Sequence, residues 1–192
     1  MTAQAHKLVL ASQSPARQEL VERLRIDAII APQDIDETPY PKELPRPHVA
    51  RLAEEKAESG AKNYSDHYIL AADTIVVVGR RILGKATDEN GARAHLNILS
   101  GTRHQVITGI CLRTPSGKNV IKVVCTKIQF KRLTKSEIDK FITTGDWQGK
   151  SGSYGMFAAP FVKSIHGSPS NVLGLPLYEV NNMLTSHGFY SK

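Results

Sequence analysis

No stretch of the 192-residue chain has the roughly 18 consecutive apolar residues of a membrane span. The opening residues, MTAQAHK, lack the apolar region of a secretory signal, so the expected compartment is the cytosol. Cysteine is scarce. Cys111 and Cys125 stand alone, and no zinc-type Cys/His spacing accompanies them. In a reducing cytosol both are expected to act as small buried hydrophobes. Aromatics are only 6% and do not interleave with basic residues, which argues against a base-stacking platform for nucleic acid. The net charge is +7, yet lysine and arginine never run longer than a pair. Such a surface suits an anionic partner, and tells more if the basic residues converge at one site. The P-loop and the GxGxxG fingerprint are both missing. Nothing resembles a Ser-His-Asp or Cys-His nucleophile, so water is the expected attacking group.

What is present reads as mixed strands and helices. Strands are expected over 7–12, 27–31 and 68–78, with "RILGK" as a short return after Gly79. Two hairpin arms, 105–113 and 119–133, flank "TPSGKN". Residues 161–167 form a further short strand. Helices are expected over 15–24, 48–62, 88–99, 134–145 and 175–188. Residues 32–47 hold five prolines and are expected to be irregular. The elements do not alternate strictly, which implies an α+β chain with a mixed sheet rather than a doubly wound parallel one.

Several residues then look chemical. Ser12-Gln13-Ser14-Pro15 stands where a strand hands over to a helix. Ser14 suits the N-cap and Pro15 the first turn. Free N–H groups there, with serine hydroxyls beside them, make an anion site, although for a lone Ser-Pro plain capping is the readier explanation, and it is Arg17 that shifts the balance. Arg17 begins the inward stripe of Leu20, Val21 and Leu24, where a guanidinium either snorkels or meets a buried anion. Lys56 repeats the anomaly among Val49, Leu52, Ala53 and Ala57. Asp73 interrupts "YILAADTIVVV", where a carboxylate is costly without a cation or a metal. It is either a metal ligand or general base, or half of a structural pair. Asp34, Asp36 and Glu37 cluster in the proline-rich segment. One of them with Asp73 would make an oxygen-rich site for Mg²⁺ or Mn²⁺; a merely solvated acidic loop is the alternative. Lys85 follows Gly84 at a turn, and "GKSGSYG" (149–155) adds glycines and Lys150. Convergent cations and metal-binding carboxylates describe a polyphosphate site with water attacking phosphorus.

These motifs resemble the Maf-type nucleoside triphosphate pyrophosphatases, relatives of the inosine triphosphatase superfamily. "LASQSPARQEL", "DETP", "RLAEEKA", "AADTIVVV", Gly84-Lys85, "LSGTRHQVITG", "GKSGSYG" and "NVLGLPL" occur in that family's order across almost the whole chain. The resemblance implies an α/β (α+β) fold: a long mixed twisted sheet flanked by helices, one domain over 1–192 with two lobes and a cleft between them, commonly a homodimer. It implies hydrolysis of a nucleoside triphosphate to the monophosphate and pyrophosphate with a divalent metal cation (Mg²⁺, Mn²⁺ or Co²⁺). By motif, Asp73 is the proton acceptor and a metal ligand, and Glu37 helps hold metal. Ser12, Ser14, Arg17, Lys56 and Lys85 meet the triphosphate. Asp73-Thr74 matches the branch acting on dTTP and UTP; the 7-methyl-GTP branch has Asp-Gln. Two positions depart from the pattern. Ala16 replaces an arginine, and Phe157 replaces a glutamine able to hydrogen-bond a base edge. Ala16, Thr74 and Phe157 are therefore the candidates for base selection. Two other readings stay open: a catalytically weak nucleotide- or nucleic-acid-binding regulator, marked by salt-sensitive DNA binding, and a phosphatase releasing orthophosphate.

Overall fold

The computed structural model describes residues 7–155 and 160–191. Its elements run β1 (Leu8–Leu10), α1 (Pro15–Arg23), β2 (Ala28–Ile30), α2 (Pro45–Ala61), β3 (Tyr68–Val78), β4 (Arg81–Leu83) and α3 (Glu89–Leu99). Then follow β5 (Arg103–Arg113), β6 (Asn119–Phe130), α4 (Lys135–Thr143), β7 (Val162–His166), α5 (Pro169–Val172) and α6 (Leu177–Ser186). The strand order is β2-β1-β3-β5-β6-β7, with β4 on β3. β1 is parallel to β2 and β3, whereas β3–β4 and β6–β7 are antiparallel, so the sheet is mixed. No helix among the described residues is long and apolar enough to cross a membrane.

The boundaries follow local chemistry. α4 opens on the full capping box offered by Thr134 and Glu137, and Asp88 caps α3 by accepting from the Gly91 N–H at 2.7 Å. α2 starts at Pro45, three residues before the expected His48. Pro45 and Pro47 fall in its first turn, where the missing N–H groups would lack helical partners anyway. β6 ends at Phe130 rather than Leu133, because the Leu133 N–H leaves the ladder for the Ser100 hydroxyl at 2.8 Å. The single turn α5 was not expected; the Ser168 side chain caps it through the Asn171 N–H.

The chain divides into two compact units. The first comprises Met1–Asp73, Thr108–Val124 and Gly174–Lys192; the second comprises Thr74–Ile107 and Cys125–Leu173. In the first, α2 lays Ala53 and Ala57 against Val9, Ala11, Ile69, Ala71 and Cys111. Small side chains let the helix approach the sheet closely. Burial pushes the Cys111 thiol up to about 12, so it behaves as an inert apolar group. Cys125 is only partly buried and donates to Gln105 Oε1 at 3.4 Å.

The second unit is aromatic. Phe130, Phe141, Trp147, Tyr154 and Phe161 fill the space among α3, α4 and the strands, and Phe130 meets Tyr154 edge-on with centroids 4.7 Å apart. His104 is buried among them with Nε2 2.5 Å from the Tyr154 hydroxyl, and its Nδ1 has no hydrogen-bond partner among the described residues. Desolvation lowers its pKa from 6.5 to about 4. The native state therefore holds a neutral ring while the unfolded chain takes up a proton below about pH 6.5. Stability is expected to fall as pH drops from about 6.5 to about 4, and no further through this group below that. His104→Gln keeps a hydrogen-bonding amide without titrating. Urea midpoints at pH 7 and pH 4.5 should lie closer together in this variant than in the wild type.

Candidate active site

The transition from β1 to α1 sets the first group. Ser12 is buried at the end of the apolar run, and Ser14 stands at the N-cap without a side-chain cap bond. The Ser14 N–H donates instead to Ser12 Oγ at 3.2 Å. Pro15 has no N–H, and those of Arg17 and Gln18 turn back to the Ser14 carbonyl, both at 3.1 Å. Most backbone donors of this helix start are thus engaged, and the cation beside it carries more of any anion affinity. That cation is Arg17, whose Nε donates to the Gly174 carbonyl at 2.8 Å and whose Nη1 donates to Ser12 Oγ at 3.3 Å. Ser12 Oγ accepts from both Arg17 and Ser14, so its own O–H is the capacity it has left to offer. Burial lowers the Arg17 pKa, and the charges of Asp73 and Glu37 oppose that shift.

α2 and β3 supply the second group. Lys56 lies on the inward stripe with a side chain only 8% exposed, and Asp73, at 10%, ends the part of β3 that belongs to this unit. Lys56 Nζ donates to Asp73 Oδ1 at 2.8 Å and sits 2.6 Å from Glu37 Oε1. Glu37 remains 45% exposed. Both readings of Asp73 thus meet in one place: it has a structural partner, and that partner is itself one of the flagged cations. Arg17, Lys56, Glu37 and Asp73 carry two positive and two negative charges, so the group is balanced as it stands.

The proline-rich loop reaches this group because it is anchored, and the anchors were not read from the sequence. The Glu43 side chain is only 8% exposed; it accepts from Arg51 Nε and Nη2, both at 2.8 Å, and from the Tyr40 N–H at 3.0 Å. His48 Nδ1 lies 2.9 Å away. Arg51 also donates to the Thr38 carbonyl at 3.2 Å and lies 3.9 Å over the Tyr40 ring. The Arg51 bonds hold the Glu43 carboxyl at about 2, far below the usual carboxylate range. Removing the guanidinium leaves a buried carboxylate without its cation. Arg51→Met is expected to cost about 3 kcal/mol, read by urea denaturation. It should also speed tryptic cleavage after Lys42, within the loop that carries Glu37.

The second unit holds the other candidates. Lys85 is exposed and forms an isolated bridge with Ser151, whose hydroxyl donates to the Thr74 carbonyl at 2.9 Å. The Gly152 N–H reaches the Leu83 and Gly84 carbonyls, both at 3.0 Å. Gly152 has φ +67°, and a Cβ there would lie 2.9 Å from Val76, so the glycine-rich loop needs this glycine both for conformation and for space. Lys150 is turned to Asp146 Oδ1 at 2.9 Å. Ala16 is partly buried in α1, and Phe157 lies outside the described residues. Asp34 and Asp36 are not in the Lys56 group; Asp36 accepts from the Thr38 N–H at 2.9 Å.

No cluster of three or more His, Cys, Asp or Glu side chains able to hold a metal occurs among the described residues. Asp73 and Glu37 do offer two hard carboxylates that meet at one ammonium. Two carboxylates completed by phosphate oxygens and water suit a small hard dication.

The family described as "Maf-like protein" matches residues 7–187. The dTTP/UTP pyrophosphatase of Agrobacterium fabrum is 48% identical, covering 98% of this chain and 96% of its own. The dTTP/UTP pyrophosphatase of Paramagnetospirillum magneticum is 46% identical, covering 95% and 97%. That of Caulobacter vibrioides is 45% identical, covering 95% and 96%. Among solved structures, the nucleoside-triphosphatase / dITP/XTP pyrophosphatase of Mycobacterium abscessus is similar over 66% of this chain and 75% of its own. The TM-score is 0.43 and the identity 19%.

Proposed function

The chain belongs to the Maf-like protein family, and on that basis we propose that it is a nucleoside triphosphate pyrophosphatase converting dTTP and UTP to the monophosphate and pyrophosphate. The observation that carries the reading is the balanced group of Arg17, Lys56, Glu37 and Asp73. A triphosphate brings several negative charges to a site whose own charges already cancel. A divalent cation bound with it restores the balance, and Asp73 and Glu37 are the residues that would hold that cation (Mg²⁺, Mn²⁺ or Co²⁺). When bound, it supplies Lewis-acid polarisation of a phosphoryl oxygen.

The protein's own residues do the remainder. Arg17, fixed by the Gly174 carbonyl and Ser12, presents a planar donor to phosphate oxygens. Lys56 adds a point charge, and the Ser12 hydroxyl a neutral donor. Asp73 accepts the proton of the attacking water, and held donors around the phosphates stabilise charge as it develops. Ser14 and Lys85 are assigned to the triphosphate by their motifs, and Ala16, Thr74 and Phe157 to base selection in the same way. The two compact units are read as the two lobes of one domain spanning 1–192. The setting is proposed to be the cytosol, where both thiols stay reduced, and the assembly a homodimer.

A panel of dTTP, UTP, dCTP, dATP and dGTP with each metal tests the substrate assignment. The expected kcat/KM for dTTP and UTP exceeds that for the purine triphosphates by at least about tenfold. If no triphosphate is turned over, a nucleotide- or nucleic-acid-binding regulator becomes the better reading, and salt-sensitive DNA binding would mark it.

A further inference from the structure

We propose that Lys56 is the resident counter-cation of the Glu37–Asp73 carboxylate pair, and that the incoming divalent metal expels it onto the phosphates of the nucleotide. The inference rests on the metal-dependent pyrophosphatase reading above. Its basis is one ammonium within 2.8 Å of Asp73 and 2.6 Å of Glu37 in a side chain only 8% exposed. Two carboxylates drawn together repel each other, and the ammonium between them offsets that repulsion. A hard dication binds such oxygens at about 2.1 Å. It would then share its ligands with a positive charge at hydrogen-bonding distance from the same atoms. Repulsion at that separation is strong in a partly desolvated site, so metal and ammonium do not share the pair.

The displaced ammonium needs an acceptor, and a triphosphate supplies one. Metal binding without nucleotide strands a lysine among apolar neighbours of α2, whereas binding with nucleotide transfers it to an oxyanion. The two ligands should therefore bind with positive coupling, and by linkage the coupling is reciprocal. The protein would hold little metal between turnovers and would take it up together with its substrate. Arg17 differs in kind. It adds a similar charge to the same group, but its Nε and Nη1 are turned to Gly174 and Ser12.

Mn²⁺ titrations followed by electron paramagnetic resonance, without nucleotide, test the exchange. Lys56→Gln is expected to bind Mn²⁺ at least about tenfold tighter than the wild type, and Arg17→Gln at most about threefold tighter. A non-hydrolysable α,β-methylene analogue of dTTP should then tighten Mn²⁺ binding more in the wild type than in Lys56→Gln. Equal or weaker Mn²⁺ binding by Lys56→Gln, an equal gain in both variants, or equal tightening by the analogue would overturn the proposal. Should Lys56→Gln fail to fold, ¹⁵N-lysine spectra of the wild type decide. The Lys56 ammonium signal is expected to lose its protected, ion-paired character at saturating Mg²⁺, and its persistence would overturn the exchange. Pyrophosphate release by the wild type is measured separately. Hydrolysis without the Mn²⁺ effect removes only the counter-cation role; the Mn²⁺ effect without hydrolysis removes the enzymatic reading.

Discussion

Asp73→Asn should lower kcat for pyrophosphate release by about 10³-fold, the scale expected when a general base is lost. The substitution is nearly isosteric and leaves an amide oxygen able to accept from Lys56 at the position now 2.8 Å away. Removing one partner of a buried ion pair ordinarily costs about 3–5 kcal/mol, because the other charge is left stranded. Here Lys56 keeps Glu37 at 2.6 Å, so the stability cost should stay below about 2 kcal/mol. The balanced group also gains one net positive charge, which favours nucleotide phosphates. Nucleotide affinity measured without metal should therefore hold or improve while turnover collapses. Turnover within tenfold of the wild type would remove Asp73 from the chemistry.

Gly109→Ala should be the most damaging small substitution in the first unit. Gly109 lies in β5 without a left-handed φ, so its role is space rather than conformation. A Cβ there would stand 2.1 Å from the Val49 carbonyl oxygen and 2.9 Å from the Ala50 nitrogen. Both are backbone atoms of α2 and cannot rotate aside, so the helix must lift off the sheet. The alanines Ala53 and Ala57, which allow that close packing, then lose their contacts, and Lys56 moves with the same helix. A loss above about 4 kcal/mol is expected, read as a lowered urea midpoint or as insoluble protein. Gly84→Ala is the control: nothing lies within 4 Å of its would-be Cβ, and its stability should change by less than about 0.5 kcal/mol. A Gly109→Ala protein as stable as that control would contradict the close packing of α2 on β5.

Much of this arrangement was legible from local signals. Thr134 and Glu137 announce α4, Asp88 announces α3, and the apolar run 68–78 is β3 with its full length. The anomalous positions were legible too, because a charge on an apolar stripe or inside an apolar strand is costly enough to need a reason. Arg17, Lys56 and Asp73 stand out on that ground. Their partners did not. Arg17 finds its carbonyl at Gly174, 157 residues away, and only the topology places it there. The bond from Lys56 to Asp73 spans 17 residues across a helix-to-strand connection of unpredictable path. Glu43 and Arg51 carry no such mark in the sequence, since burial of a loop carboxylate leaves no periodic trace. His104 and Tyr154 were invisible for the same reason: each is a lone residue whose meaning lies in the other. The early start of α2 was hidden by its prolines, which break helices in the interior yet suit the first turn.

The assignment of the reaction itself turns on which phosphorus products appear. Wild-type protein with dTTP and Mg²⁺, followed by ³¹P nuclear magnetic resonance without any auxiliary pyrophosphatase, answers this in one spectrum. Equimolar dTMP and pyrophosphate, with neither dTDP nor orthophosphate accumulating, is the expected outcome. Appearance of dTDP with orthophosphate would contradict pyrophosphate release as the reaction this chain performs.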